Sequence, residues 1–400
     1  MSLTVKNTVS NQAEWPEKVD PEEVGADPAL LQKALDFIAA EVQGGTVPGA
    51  ILAATRHGQL FIEQAWGGYI GAESASREDL LPLDPTVRVM FYSFTKPTTA
   101  TVVALLQQSR LLDYDAPLRS YIPEFSGGGK ETITLRHLLT HSAGIPNSPS
   151  LPVYTEALWR QAITTLCAMP VEWQPGSRTY YHAATGMLLA AEAVRRVSGR
   201  RPWEEIVRQR LFEPLGMTQT TLGFPPPAAK VAFTPRPTNY PCKLDPARSQ
   251  SGAEYQFIGH PAGGAIGTVS DMLRLLNFHL NQGRWQGKII LQAANCREMQ
   301  RVQYQQAISE ALAAGKTPDH EYWGLGWLLR GQTQEGWFGF GNVVSESAFG
   351  HAGIDTVIGV ADPAKHLALA FVTTDSPPSS EATIRLRNTV TNLVAQSVVM

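Results

Sequence analysis

Strand-like segments lie toward the two ends of this chain and helical ones fill its middle, and that distribution limits the folds open to it. After Pro48-Gly49, AILAATRHG and QLFIEQAWGG read as two strands turning at His57-Gly58. Near the other end, TVIGVAD and HLALAFVTTD flank Asp362-Pro363-Ala364-Lys365 as a second hairpin. Between about residues 97 and 230 the patterns are mostly helical, broken by Pro and Gly, as in TTATVVALLQQSRLL, TLRHLLTH and GMLLAAEAVRRVSG. Terminal helices are expected over 27–43, where Asp27 can cap DPALLQKALDFIAAEVQ, and over 383–399, TIRLRNTVTNLVAQSVV. The simplest assembly is an α+β fold: one sheet built from both chain ends, covered by the terminal helices, with a mainly helical lobe inserted. We expect residues 20–92 and 255–400 to form the sheet lobe, 93–254 the helical lobe, and 1–19 an extension. A cleft between the lobes is the natural place for a ligand.

Composition narrows the partners. The 400 residues are 43% hydrophobic and 17% charged, enough for a large core. The net charge of -3, without a long run of either sign, argues against a nucleic-acid or anionic-membrane partner. Cys167, Cys242 and Cys296 are odd in number and far apart, fitting reduced thiols better than a disulfide framework or a CxxC metal site. No apolar run reaches the roughly 18 residues of a membrane helix. The polar start MSLTVKNTVSNQ lacks the regions of a signal peptide, so a cytoplasmic location is expected.

One stretch carries candidate chemistry. In FYSFTKPTTATVVALL, Ser93 stands three residues before Lys96 at the start of an apolar helix, and it is the only serine so placed before a lysine. Residues i and i+3 share a helix face, so hydroxyl and amine can meet. A lysine acts as a base only if burial or nearby positive charge lowers its pKa. Pro97 is tolerable in a first turn, although it disfavours helical geometry at Lys96. The plain alternative is a Ser cap beside a solvated Lys. His137 and His141 in TLRHLLTH have the i, i+4 spacing of a metal pair, but no HExxH or third ligand accompanies them, and structural roles are expected. The aspartates of LLDYDAPL read as turn and capping groups. Trp323 and Trp327 either edge the cleft or pack beneath it, and YQQAISEALAAGKTPDHEYW reads as a helical insertion at the entrance.

The ordered motifs give the chain a resemblance to the serine β-lactamase-like, penicillin-recognising hydrolases, especially class C β-lactamases and family VIII carboxylesterases. SFTK resembles their S-x-x-K, QPGSRTYYHAATGMLLA their Tyr-containing second motif, and AFGHAGI their third motif on a strand. VPGAILA, ITLRHLLTHSAGIP, LFEPLGMTQTTLG and PAGGAIGTVSDMLRLL follow in the family's order, from about residue 20 to 395. The resemblance implies a β-lactamase/transpeptidase-like fold, an antiparallel sheet flanked by helices with an inserted helical lobe. It implies Ser93 as nucleophile, Lys96 as base and Tyr181 as proton-transfer partner. Tyr180 competes with Tyr181, but counting from Pro175-Gly176 favours the latter. His351 and Gly353 fall at the third motif, and the backbone N–H of Ile354 would join that of Ser93 in an oxyanion hole. No cofactor and no metal are implied.

Two departures bear on the substrate. Ala183 stands where the second motif usually has Asn, and His351 where β-lactamases usually have Lys. Ala supplies no amide, and histidine supplies a positive charge only when protonated. Both changes weaken β-lactam recognition, so the expected activity is hydrolysis of a small-molecule ester through an acyl-enzyme. The alternatives are a β-lactamase or D,D-peptidase, an acyltransferase, and a non-catalytic binding protein of the same fold.

Overall fold

The computed structural model describes residues 17–70, 79–147, 151–223, 258–332, 339–354 and 356–398. Cys242 and the expected lobe boundary near residue 254 lie outside them; Cys167 and Cys296 are free thiols.

Both expected hairpins form, and they join. Strands β1 (Gly49–Arg56) and β2 (Gln59–Tyr69) pair antiparallel. A two-residue β3 (Leu81–Pro82) extends that edge. From the far end of the chain come β4 (Leu328–Leu329), β5 (Phe349–Gly353), β6 (Val357–Asp362) and β7 (Leu367–Thr373). Among the described residues these make one seven-stranded sheet in the order β3-β2-β1-β7-β6-β5-β4, with every pairing antiparallel. The two chain ends meet where β1 pairs β7, from Ala50 opposite Thr373 to Arg56 opposite Leu367.

Period-two alternation sends side chains of the central strands into two separate cores. Ala50, Leu52 and Ala54 of β1 pack with Ile358, Val360, Leu369 and Phe371 on one face. That face is covered by α1 (Pro28–Gln43) and α5 (Ser380–Ser397) through Leu31, Ala34, Ile38, Leu386, Val390 and Val394. Asp27 caps α1 as expected, accepting from the N–H groups of Ala29 and Leu30 at 2.8 and 3.1 Å. The closing helix starts at Ser380, three residues before the expected start, because the Ser379 side chain caps it by accepting from Ala382 N–H.

Ile51, Ala53, Val357, Ala361, Ala370 and Val372 point to the other face and join the larger core. That core includes α2 (Thr95–Gln108), α3 (Thr185–Val197) and α4 (Val269–Leu280). Every residue of α2 from Thr95 to Leu106 is buried. Glycines let β5 and β6 approach its start closely. A Cβ on Gly359 would lie 2.3 Å from the Phe94 ring, and one on Gly353 would lie 2.1 Å from the Phe91 carbonyl oxygen. No helix among the described residues is long and apolar enough to cross a membrane.

This close packing is testable at Gly359. Because Phe94 is fully buried and cannot swing aside, Gly359→Ala should lose about 1–3 kcal/mol by overpacking, read from urea unfolding. An unchanged midpoint would mean that the seam between β6 and α2 is loose.

Candidate active site

Ser93 lies in a 3₁₀ turn, Tyr92–Phe94, that runs directly into α2, so it precedes the α-helix that carries Lys96. Tyr92 holds the turn at φ 45°, in the left-handed region that non-glycine residues seldom adopt. Pro97 occupies the third helical position, where no intrahelical N–H is needed, and Lys96 stays helical despite it.

The chain segment just before α4 fixes this start. Phe91 N–H donates to Ala265 O at 2.8 Å, and Ala265 N–H to the Thr95 hydroxyl at 3.1 Å. The Thr99 hydroxyl donates to Pro261 O at 2.7 Å. Lys96 Nζ sits between the two segments, donating to Ser93 Oγ at 2.8 Å and to Ala262 O at 3.1 Å. The amine is fully buried. Burial holds its pKa well below the usual 10.5, with no carboxylate among the described residues to offset it.

Tyr181 arrives from a third element, the loop before α3. Its hydroxyl donates to Ser93 Oγ at 2.6 Å, and Lys96 Nζ lies 4.9 Å from its ring centre. Several bonds hold that loop. Thr179 N–H donates to Asp319 O at 3.0 Å, Tyr180 N–H to His141 O at 2.9 Å, and His182 N–H to His141 Nδ1 at 3.2 Å. The ring stacks on Trp323 at 5.9 Å and contacts the His141 ring at 4.7 Å. Burial raises the phenol pKa above 10, only partly opposed by the bond to Ser93. Tyr180 is exposed and points elsewhere, packing its ring edge on Trp173.

His351 is placed beside the site but differently charged from what a third-motif cation requires. It is buried, and Nδ1 lies 2.7 Å from the Ala352 carbonyl; Nε2 finds no partner among the described residues. Burial, then the nearby Lys96, pushes its pKa down to about 3. It is a neutral ring at physiological pH and attracts no carboxylate. Gly353 brings β5 against the turn that carries Ser93, as its missing Cβ requires. Ile354 follows, partly exposed, at φ 25°.

The other sequence candidates resolve into packing roles. The helix carrying His137 ends at Leu139, and His141 has φ 57°, so the two imidazoles do not share a helical face. His137 Nδ1 accepts from Thr134 N–H at 3.2 Å, and His141 braces the Tyr181 loop. Asp113 Oδ1 accepts from Asp115 N–H, and Asp115 pairs with Arg136. Trp323 backs Tyr181, while Trp327 packs beneath against His279 and Phe349. The insertion does form a helix, Gln305–Ala313.

Sequence reading missed three contributors. The Ala262 carbonyl carries no side-chain signal at all. Asn147, which accepts Ala183 N–H at 3.0 Å, places an amide next to the position where the motif lacks one. Arg387 on α5 falls at a core-facing position between Leu386 and Val390, and an arginine in an apolar stripe is a readable signal.

A serine held between a buried amine and a phenol, on an antiparallel sheet with this order, defines a serine hydrolase of the β-lactamase/transpeptidase fold. The chain belongs to the Beta-lactamase family, whose model matches residues 35–391. It is 27% identical over 370 residues to the esterase/beta-lactamase LipL of Mycobacterium tuberculosis, covering 87% of this chain and 81% of that one. Among solved structures it resembles a penicillin-binding protein homologue from Caulobacter crescentus. The TM-score there is 0.72 at 23% identity, over 93% of this chain and 99% of the other. A family VIII carboxylesterase matches with a TM-score of 0.67 at 24% identity, over 92% and 99% of the two chains.

The burial of Lys96 makes a prediction about stability. An unfolded lysine titrates near 10.4, and the folded amine well below that. Between those two values the unfolded chain binds a proton that the folded one does not, so stability rises with pH across the window. Lys96→Met should therefore raise the urea midpoint at pH 7, with the gain shrinking as pH approaches 10. A variant less stable than the parent at pH 7 would contradict the uncompensated burial.

Proposed function

We propose that this protein cleaves carboxylic esters through an acyl-enzyme on Ser93. The observation that carries the proposal is the double contact at one oxygen, with Lys96 Nζ at 2.8 Å and Tyr181 OH at 2.6 Å from Ser93 Oγ. The opposite pKa directions of the two partners divide their roles. Lowering its pKa makes the lysine a readier proton acceptor, while raising its pKa keeps the tyrosine a phenol able to give a proton.

In acylation Ser93 Oγ bonds to the ester carbonyl carbon as its proton passes to Lys96 Nζ. The carbonyl oxygen becomes an oxyanion facing the N–H groups of Ser93 and Ile354. When the C–O bond to the alcohol breaks, the departing alkoxide takes the Tyr181 proton, and Tyr181 is recharged from the Lys96 ammonium. Deacylation runs the sequence in reverse with water in place of the alcohol. Water bonds to the acyl carbon as its proton passes to Tyr181 and the Tyr181 proton to Lys96. The bond to Ser93 Oγ then breaks, Lys96 returns a proton to Oγ, and the carboxylic acid departs.

The preference for esters rests on what surrounds this core. Ala183 offers no side-chain amide, and the His351 ring, with its pKa down to about 3, offers no charge to a lactam carboxylate. A simple ester needs neither. Losing one charge-assisted contact costs on the order of 1.5–3 kcal/mol. The pairing of esterase and β-lactamase in the name of the Mycobacterium tuberculosis relative supports keeping lactam hydrolysis as the second reading. Asn147 favours it too, because its amide could take over the contact that Ala183 lacks.

Labelling with a fluorophosphonate followed by peptide mapping should find Ser93 modified, and Ser93→Ala should be inert toward p-nitrophenyl esters. Lys96→Ala and Tyr181→Phe should each lower kcat by roughly 10²- to 10⁴-fold, with the double variant well short of the product. Tyr180→Phe should remain active. In the wild type, kcat/KM should rise with pH through the lowered lysine pKa and level off well below pH 10. Nitrocefin turnover should trail short-chain esters and should not climb between pH 8 and 5, because His351 stays neutral there. Labelling at another serine removes the mechanism; nitrocefin matching the best ester replaces the substrate class.

A further inference from the structure

Arg387 is a buried cation with two bonds into the backbone beside the nucleophile. It projects from α5 and is only 6% exposed. Its Nη2 donates to Gly353 O at 3.1 Å and to Ile354 O at 2.5 Å. Those two carbonyls belong to the peptide units on either side of Ile354, the residue held at φ 25°. A positive φ is an outlier for a β-branched residue and persists only where neighbours enforce it. Arg387 fixes both flanking peptide planes at once.

The geometry of one peptide unit links this cation to the reacting side. The Gly353–Ile354 peptide is trans, so its N–H points opposite to its carbonyl. The carbonyl faces β6 and α5, accepting from Thr356 N–H at 3.3 Å as well as from Arg387. The N–H therefore leaves the opposite edge of β5, in the stretch whose Gly353 packs its face against Phe91 and Tyr92, the residues just before Ser93. A charge-assisted bond to a carbonyl polarises the whole amide and strengthens its N–H as a donor.

We propose that Arg387 is a positioning residue for the oxyanion site: it sets the plane of the Gly353–Ile354 peptide and strengthens the Ile354 N–H that receives the developing negative charge. This rests on the reading of Ser93 as nucleophile and of Ile354 N–H as an oxyanion donor. It also gives the third-motif strand a source of positive charge that the neutral His351 does not supply. The charge acts through the backbone on the oxyanion, common to every acyl substrate, instead of directly on a substrate carboxylate.

The test compares wild type with Arg387→Lys, Arg387→Gln and Arg387→Ala, using a p-nitrophenyl ester, a boronic acid that forms a tetrahedral anion on serine, and the carboxylic acid product. Removing an oxyanion donor outright lowers kcat by about 10²- to 10³-fold; weakening one should lower it by about 10- to 100-fold, with KM within about threefold. Boronate affinity should fall by the same factor as kcat, while product affinity holds within about threefold. Lysine, which keeps the charge, should retain more activity than glutamine, and guanidinium ion should restore part of the activity of Arg387→Ala. Should Arg387→Ala fail to fold, lysine and glutamine still decide the matter. Equal boronate affinity across the variants, or equal activity in lysine and glutamine, overturns the role of Arg387. A wild-type protein that binds no boronate and is not labelled at Ser93 overturns the underlying reading instead.

Discussion

The burial of the Lys96 amine is the condition on which the rest of the arrangement depends. Left in water the amine would be an ammonium, useless as a base and indifferent to the serine beside it. The fold removes the water by sheathing the start of α2 on all sides, and it returns two acceptors, Ser93 Oγ and the Ala262 carbonyl. Tyr181 closes the remaining side with its ring near the amine and its hydroxyl on the same serine oxygen. The same exclusion of water raises the phenol pKa and keeps the His351 ring neutral, so one physical cause moves the lysine and histidine pKa values down and the tyrosine pKa up.

That exclusion requires elements far apart in sequence to approach more closely than ordinary side chains allow. Gly353 and Gly359 bring the sheet against Phe91 and Phe94, which lie on either side of Ser93 in the chain. Backbone strain collects at the same seam, at Tyr92 on one side and Ile354 on the other. Each outlier is tied down locally: the Tyr92 turn through the Phe91 bond to Ala265, and Ile354 through Arg387. Ser93 and Ile354 thus owe their placement to backbone that would relax if either support were lost.

Much of the architecture could be read along the chain because it depends on local pattern. Apolar periodicity and a capping aspartate mark α1, and alternation with a turn marks each hairpin. The pairing of Ser93 with Lys96 could be anticipated from their three-residue spacing, although Ser93 sits in a 3₁₀ turn just ahead of the helix, and the motif order points to Tyr181 over Tyr180. Where the reading fell short, the missing information was of another kind. The closing helix begins at a serine cap three residues early, which is a local choice among several competent caps. His351 reads as a candidate cation until its burial is known.

The linear chain, then, was enough for the elements and their order, which are encoded within a turn or two of backbone, and its ordered motifs pointed to the two groups at the serine oxygen, Lys96 and Tyr181. Charge state, closeness and direction belonged to the folded molecule alone. The burial that lowers the Lys96 pKa is completed by segments near residues 262 and 181, far along the sequence, and the carbonyls on either side of Ile354 are held by Arg387 on the last helix. Solvation and peptide orientation are sums over everything that packs around a group, and no window of neighbouring residues contains that sum.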